Sequence, residues 1–193
     1  MPVKLPKSLL LGTFKTSQGW CAAAWTDKGL SVFIISQTSK ERAVQKATNY
    51  LPPLPRYFWN KPLGSVPVLI KKETRKALAG KKFKAVPVDL FFMTGFQQAV
   101  LSATAQIPWG QTRTYGWTAA KAGSPRGFRA AGQALNRSPI SLLIPCHRVI
   151  ASGSKLGGYG GDLNWKIKLL KLEKMRVQRS SDGSYKVLQA LIK

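Results

Sequence analysis

Two short breaks near the start constrain the fold of this chain more than any other feature. Residues 9–15, 20–26 and 30–36 are short runs rich in apolar and aromatic side chains. Ser17-Gln18-Gly19 and Asp27-Lys28-Gly29 separate them. Turn residues between runs of this length predict antiparallel hairpins, so residues 9–36 read as a small sheet. Residues 40–50 suit a helix with Ala43, Val44 and Ala47 turned inward. Pro52, Pro53, Pro55, Pro62 and Pro67 then make residues 51–70 loop or edge. The expectation is an α/β N-terminal domain, a small antiparallel sheet with a helix, over residues 1–90.

The texture changes near residues 86–93. Thr94 can cap a helix running to about Gln106, which Pro108 and Gly110 stop. Thr114 can cap a second short helix through Tyr115, Trp117, Ala119 and Ala120, ended by Gly123 and Pro125. Residues 126–135 form a third segment poor in bulk: Gly127, Ala130, Ala131, Gly132 and Ala134 surround Phe128 and Arg129. Asn164 can cap a last helix. Residues 91–178 are therefore expected to be a mainly α-helical domain containing a helix-turn-helix, followed by a polar tail, 179–193.

Charge narrows the partners. The chain has 193 residues, with 31 Lys and Arg against 7 acids, a net charge of +24. Such an imbalance suits a polyanion, because each phosphate neutralised releases condensed counterions. Residues 1–90 hold 16 basic side chains and residues 91–193 hold 15, so the charge is not a detachable arm. The densest run, Lys71-Lys72 through Arg75-Lys76 and on to Lys81-Lys82-Lys84, reads as a solvated face. The third helical segment, small except for Arg129, lacks the polar side chains that read major-groove base edges. It favours close, sequence-indifferent approach to a minor groove instead. Taken alone, the same small residues are better explained by helix-to-helix packing.

Cys21 and Cys146 offer neither a disulfide framework nor metal spacing, and His147 is the lone histidine. No metal is expected. The first residues are too weakly apolar for a signal peptide, and a free thiol suits an intracellular setting, cytoplasm or nucleus.

Pro145-Cys146-His147-Arg148-Val149 follows the apolar run 140–144. A buried strand entering a sharp turn is a place to hold a nucleophile rigidly. A thiolate beside an imidazole is the strongest ordinary nucleophile available. Residues 91–178 contain only two acids, Asp162 and Glu173, and either could orient the histidine.

The motif, with Tyr115 upstream and Tyr159-Gly160-Gly161 downstream, resembles the O6-alkylguanine-DNA alkyltransferases (methylated-DNA–protein-cysteine methyltransferases) from about Gly95 to Glu173. The resemblance implies stoichiometric repair of duplex DNA by a monomer, with no cofactor. By that resemblance Cys146 is the alkyl acceptor, His147 its base through a water, and Glu173 the carboxylate holding the histidine. Tyr115 assists base rotation and donates to the purine, while Arg129 fills the gap left by the flipped nucleotide. Thr114, Ala130, Ala131, Gly132 and Gln133 complete the DNA face. Cys146 and Val149 offer carbonyls to the guanine amino group, and Tyr159 and Gly160 close the pocket. Three features depart from the family: Ser138 stands where an asparagine often precedes Pro139, at the hinge before the cysteine strand; Leu135 stands where some members have other apolar residues; and Cys21 alone cannot supply an N-terminal zinc set.

Three rivals predict different behaviour. A lesion binder that does not transfer would typically lack Cys146. A sequence-specific helix-turn-helix regulator needs base-reading side chains in place of Ala130, Ala131 and Gly132. A cysteine hydrolase would turn over repeatedly.

Overall fold

The computed structural model describes residues 5–54, 63–160, 162–181 and 183–188. They divide into two compact units. The first comprises residues 1–75, 83–93 and 139–143, and the second residues 76–82, 94–138 and 144–193.

In the first unit, β1 (Leu10–Thr16), β2 (Gly19–Trp25) and β3 (Leu30–Gln37) form the expected antiparallel sheet, with β2 central. Thr16 pairs with Gly19 across the first turn and Trp25 with Leu30 beside the second. Gly29 is required where it stands: a Cβ there would meet the Pro87 carbonyl at 2.6 Å. Helix α1 (Lys40–Thr48) is capped by Ser39, whose hydroxyl accepts from the Arg42 N–H. Its Ala43 and Ala47 are fully buried against Ala22, Ala24, Val32 and Ile34. Alanine on both sides lets the helix axis approach the sheet closely.

A second helix, α2 (Val68–Leu78), occupies sequence expected to be loop and solvated basic run. It begins directly after Pro67. Its inward face is Ile70, Glu73, Thr74 and Ala77, all buried. Two of those four are polar, so the apolar period that marks a helix is missing from the sequence. Thr74 meets its own requirement by donating to the Ile70 carbonyl at 2.7 Å.

Ile140, Leu142, Leu143 and Ile144 are buried as expected, with Ser141 partly so, but the run is not a strand. It makes one bridge to β3, between Phe33 and Ile140, and then turns, with Leu142 in the left-handed region at φ 66°. A left-handed residue breaks the extended repeat that ladder pairing needs.

The second unit is mainly helical. Thr94 and Gln97 form a capping box on α3 (Gly95–Ala105). A two-residue strand, β4 (Arg113–Thr114), leads into α4 (Tyr115–Lys121), and a tight turn containing Gly123 connects α4 to α5 (Phe128–Asn136). Helix α6 is Leu163–Leu172, capped not by Asn164 but by Asp162, whose carboxylate accepts from the Trp165 N–H. The stretch expected as a polar tail from residue 179 continues an antiparallel hairpin, β6 (Arg176–Arg179) with β7 (Tyr185–Leu188). Val187 is buried there with Ile150, Leu156, Leu170 and Met175. One inward apolar side chain per strand is enough to dock a hairpin, and so short a pattern reads as polar. Residues 189–193, Gly161 and Pro55 and Pro62 of the proline segment lie outside the described residues. No helix among the described residues is long and apolar enough to cross a membrane.

Candidate functional site

Every residue of the site belongs to the second unit. Pro145 delivers the chain into a single tight helical turn, Cys146–Arg148, closed by the Arg148 N–H donating to the Pro145 carbonyl at 2.9 Å. The turn exits into β5 (Val149–Ile150), which pairs in parallel with β4, Arg113 opposite Val149. That short ladder sets Tyr115, the first residue of α4, beside the cysteine turn.

Beneath the turn lies a buried carboxylate. Glu173, at the C-terminal cap of α6, accepts from His147 Nε2 at 2.9 Å and from Arg148 Nε and Nη2 at 2.9 and 2.8 Å. It also accepts from the Gly110 N–H at 3.1 Å. Burial alone would raise its pKa, but the hydrogen bonds from His147 and Arg148 prevail and hold it near 2. Arg148 Nη1 donates to the Ile107 carbonyl at 2.6 Å. Asp162, the other acid open to this role in the sequence, is used as a helix cap.

His147 is fully buried, and burial lowers its pKa although Glu173 opposes the shift. With Nε2 committed to Glu173, the remaining ring atom, Nδ1, is buried with no hydrogen-bond partner. Cys146 is partly exposed, and burial of its thiol pushes the pKa up to about 11, against hydrogen bonding from Ser138 and the charge of Lys166. The histidine is thus an acceptor near neutral pH, and the thiol still holds its proton.

Lys166 had no place in the sequence reading. It is fully buried, donates to the Val149 carbonyl at 2.6 Å and to the Gly158 carbonyl at 3.1 Å, and lies 6.0 Å from the centre of the Tyr115 ring. Burial lowers its pKa to about 8, with Cys146 opposing that shift. A signal existed: Lys166 shares a helical face with buried Leu169, Leu170 and Glu173, three, four and seven positions on. Ser138 was noted in the sequence for standing where an asparagine often precedes Pro139, not as a partner of the thiol.

Tyr115 donates a long 3.4 Å hydrogen bond to the Gly158 carbonyl, and burial raises its pKa. Two glycines make room for its ring. A Cβ on Gly157 would stand 3.0 Å from the phenol, at φ 67°, and one on Gly132 would touch the ring at 3.7 Å. The Tyr159 hydroxyl is buried without a partner, and burial raises its pKa well above the ordinary tyrosine value. Gly160 is exposed beside it. The Val149 carbonyl, expected to meet substrate, already accepts from Lys166.

The outer face of α5 carries Phe128, Arg129, Ala130 and Gln133, all exposed, with the Arg129 guanidinium 5.6 Å from the Phe128 ring centre. Phe128, half exposed, was seen in the sequence without a role. Ala131, expected on the DNA face, is instead fully buried with Ala134 and Leu135. It sits on the packing side of the helix, so its side chain is withdrawn from any partner. Thr114 caps α4, accepting from the Trp117 N–H at 3.1 Å.

Residues 95–175 match the model of the DNA-binding domain of 6-O-methylguanine DNA methyltransferase. The O6-methylguanine methyltransferase of Mycobacterium tuberculosis superposes with a TM-score of 0.61 at 33% identity, over 86% of this chain and 93% of that one. The chain belongs to the O6-methylguanine-DNA methyltransferase family. A structure of the same organism's OGT in complex with DNA gives a TM-score of 0.63 at 33% identity, over 85% of this chain and 92% of that one. In sequence, the methylated-DNA–protein-cysteine methyltransferase of Mycobacterium leprae is 51% identical over 96 residues, 50% of this chain and 58% of that relative. The chain therefore spans under two thirds of this curated relative. Within the second unit His147 meets Glu173 directly, Cys146 precedes His147 in the same turn, and the Tyr115 hydroxyl reaches the Gly158 carbonyl. Among the described residues no group of three His, Cys, Asp or Glu side chains could hold a metal.

Proposed function

We propose that this protein repairs DNA by transferring the alkyl group of an O6-alkylguanine to Cys146, once per molecule and without a cofactor. The observation that carries the reading is the buried His147–Glu173 pair behind Cys146, with Nδ1 of the imidazole left open. A water at Nδ1 would relay the thiol proton to the histidine, as a general base requires. The Sγ–alkyl carbon bond then forms as the carbon–O6 bond breaks, and the purine leaves as guanine. Glu173 stabilises the imidazolium. Lys166 stabilises the thiolate across the low-dielectric pocket. The Tyr115 phenol, still protonated because burial raises its pKa, supplies the proton that the departing purine takes up.

The substrate must leave the duplex to reach so enclosed a thiol, at a cost of a few kcal/mol. Helices α4 and α5 act as a helix-turn-helix, with α5 in the minor groove. Arg129 enters the vacated stack, and half-exposed Phe128 is of the kind minor-groove proteins press between base steps. Ala130, Gly132 and Gln133 allow close approach without reading sequence, and Thr114 meets the backbone. Cys146 and Val149 carbonyls, with the Tyr159–Gly160 segment, frame the base. The protein works as a monomer, inside the cell.

The test is the intact mass of the full chain after incubation with a methylated duplex. One added methyl, mapped to Cys146 and absent in Cys146→Ser, is the expected result. A methyl on Cys21, or repeated turnover without an adduct, would overturn it.

A further inference from the structure

We propose that the outer face of α2 is a second DNA-contacting surface, one that grips the phosphate backbone of duplex DNA independently of the α5 face. Helix α2 buries Ile70, Glu73, Thr74 and Ala77. At about 100° per residue, Lys71, Lys72 and Arg75 fall on the opposite side, with Lys72 and Arg75 exposed and Lys71 partly so. Lys71 and Arg75 rise about 6 Å apart along the axis, close to the ~6.8 Å axial spacing of two phosphate steps on one DNA strand.

The face is purely cationic by construction. Residues 65–88 hold seven basic side chains and a single acid, Glu73. That acid is only 1% exposed, and its carboxylate accepts from the Lys84 main-chain N–H at 2.7 Å. It therefore ties exposed Lys84 to the same unit, and residues 65–88 offer no other acid to the exposed cations Lys72 and Arg75. A face needed only for solubility would gain from acids spaced four residues from the lysines. Here Lys71 faces Arg75 and Lys72 faces Lys76, like charges at the helical repeat, which disfavour the helix. No acid occupies the first turn either, where the helix dipole would welcome one. A partner's phosphates would remove both penalties. The face also lies outside residues 95–175, the segment matched to the family's DNA-binding domain. Duplex DNA is chosen as the polyanion because the inference rests there on the repair reading above.

The experiment measures affinity of the full chain for an unmodified duplex across a salt series. Three proteins are compared: the unaltered chain, Lys71→Gln/Lys72→Gln/Arg75→Gln, and a control with the same charge loss elsewhere in the first unit, Lys15→Gln/Lys28→Gln/Lys46→Gln. If the three α2 cations each neutralise a phosphate, the slope of log K against log salt flattens by roughly 2.7 in the α2 variant. The control should change it by less than about one. Lys72→Gln alone should flatten it by roughly 0.9, which reads the effect with minimal disturbance of the fold. Equal flattening in both triple variants, or none in either, would overturn the proposal. So would loss of binding to phosphatidylserine vesicles with an unchanged duplex slope, which would assign the face to a membrane. Both variants should still react with free O6-benzylguanine like the unaltered chain. If none of the three reacts, the alkyl-transfer reading fails, and the slope comparison on unmodified DNA stands on its own.

Discussion

The thiol of Cys146 poses the chemical problem at the scale of single residues. With a pKa near 11 it is almost wholly protonated at neutral pH, so an ionised cysteine cannot simply be waiting for substrate. The neighbours supply what it lacks: an imidazole held unprotonated by burial, a carboxylate held ionised, and the ammonium of Lys166. Replacing Lys166 by methionine keeps the apolar stem and deletes the charge. We expect the thiol to titrate still higher and transfer to slow at least tenfold. Thiolate absorbance against pH checks this, and an unmoved titration would show that the lysine only braces the Val149 and Gly158 carbonyls. The same groups predict how stability follows pH. His147 has a folded pKa below its unfolded value, so its contribution is complete above about pH 6.5 and falls as pH drops below it. Glu173 is depressed from 4.5 to about 2, so its share is intact above about pH 4.5 and is lost as pH falls toward 2. Denaturant midpoints should decline in those two windows. In Glu173→Gln the lower window should vanish, with about 3–5 kcal/mol lost at neutral pH because the buried Arg148 guanidinium loses its countercharge. A lower window that persists in that variant would place the titration elsewhere.

At the scale of elements, legibility followed the kind of side chain that was buried. The β1–β3 sheet and α1 could be read because their inward residues are apolar and their turns end in glycine. Helix α2 was hidden because Glu73 and Thr74 occupy half of its inward face. The run 140–144 looked like a strand because apolarity, interrupted there only by Ser141, reports burial and not conformation; φ at Leu142 is decided by the chain on either side. In the site, Cys146, His147 and Glu173 were recoverable from motif and resemblance. Lys166 was not, since a lysine in a helix is ordinarily a surface residue, and only its register with Leu169 and Leu170 betrays it. Ala131 shows the converse error, because alanine looks the same whether it meets a groove or a neighbouring helix. The β6–β7 hairpin gives this scale its test. Val187 is 5% exposed in the cluster with Leu170 and Met175, next to the helix that ends in Glu173. Val187→Ala should cost about 1.5–3 kcal/mol through lost burial and a small cavity. A denaturant midpoint unchanged by the substitution would mean the hairpin is an ornament and not part of the core.

For the whole molecule, the reaction ends with a protein different from the one that began it. In the unreacted state the thiol shares a hydrogen bond with Ser138 at the end of α5 and sits within the field of Lys166 on α6. A thioether accepts the Ser138 hydroxyl's hydrogen bond only weakly and cannot ionise to satisfy the ammonium. The added methyl must also fit a site that feels the Tyr159 hydroxyl, itself buried without a partner. Forcing a methyl into a close-packed site costs about 1–3 kcal/mol through displaced side chains and backbone. For a chain of this size, each kcal/mol lowers the melting temperature by roughly 2–4 °C. We therefore expect the methylated protein to melt several degrees lower and to be cleaved faster by protease than the unreacted form. The comparison requires protein titrated to completion with a methyl donor and freed of guanine, so that bound product does not stabilise it. The cause can be separated from simple overpacking. In Ser138→Ala the hydrogen bond is already absent, so the drop on methylation should shrink by whatever that bond contributed. A methylated form as stable as the unreacted one would show that the partly exposed pocket has room for the adduct, and that α5 and α6 do not register the transfer.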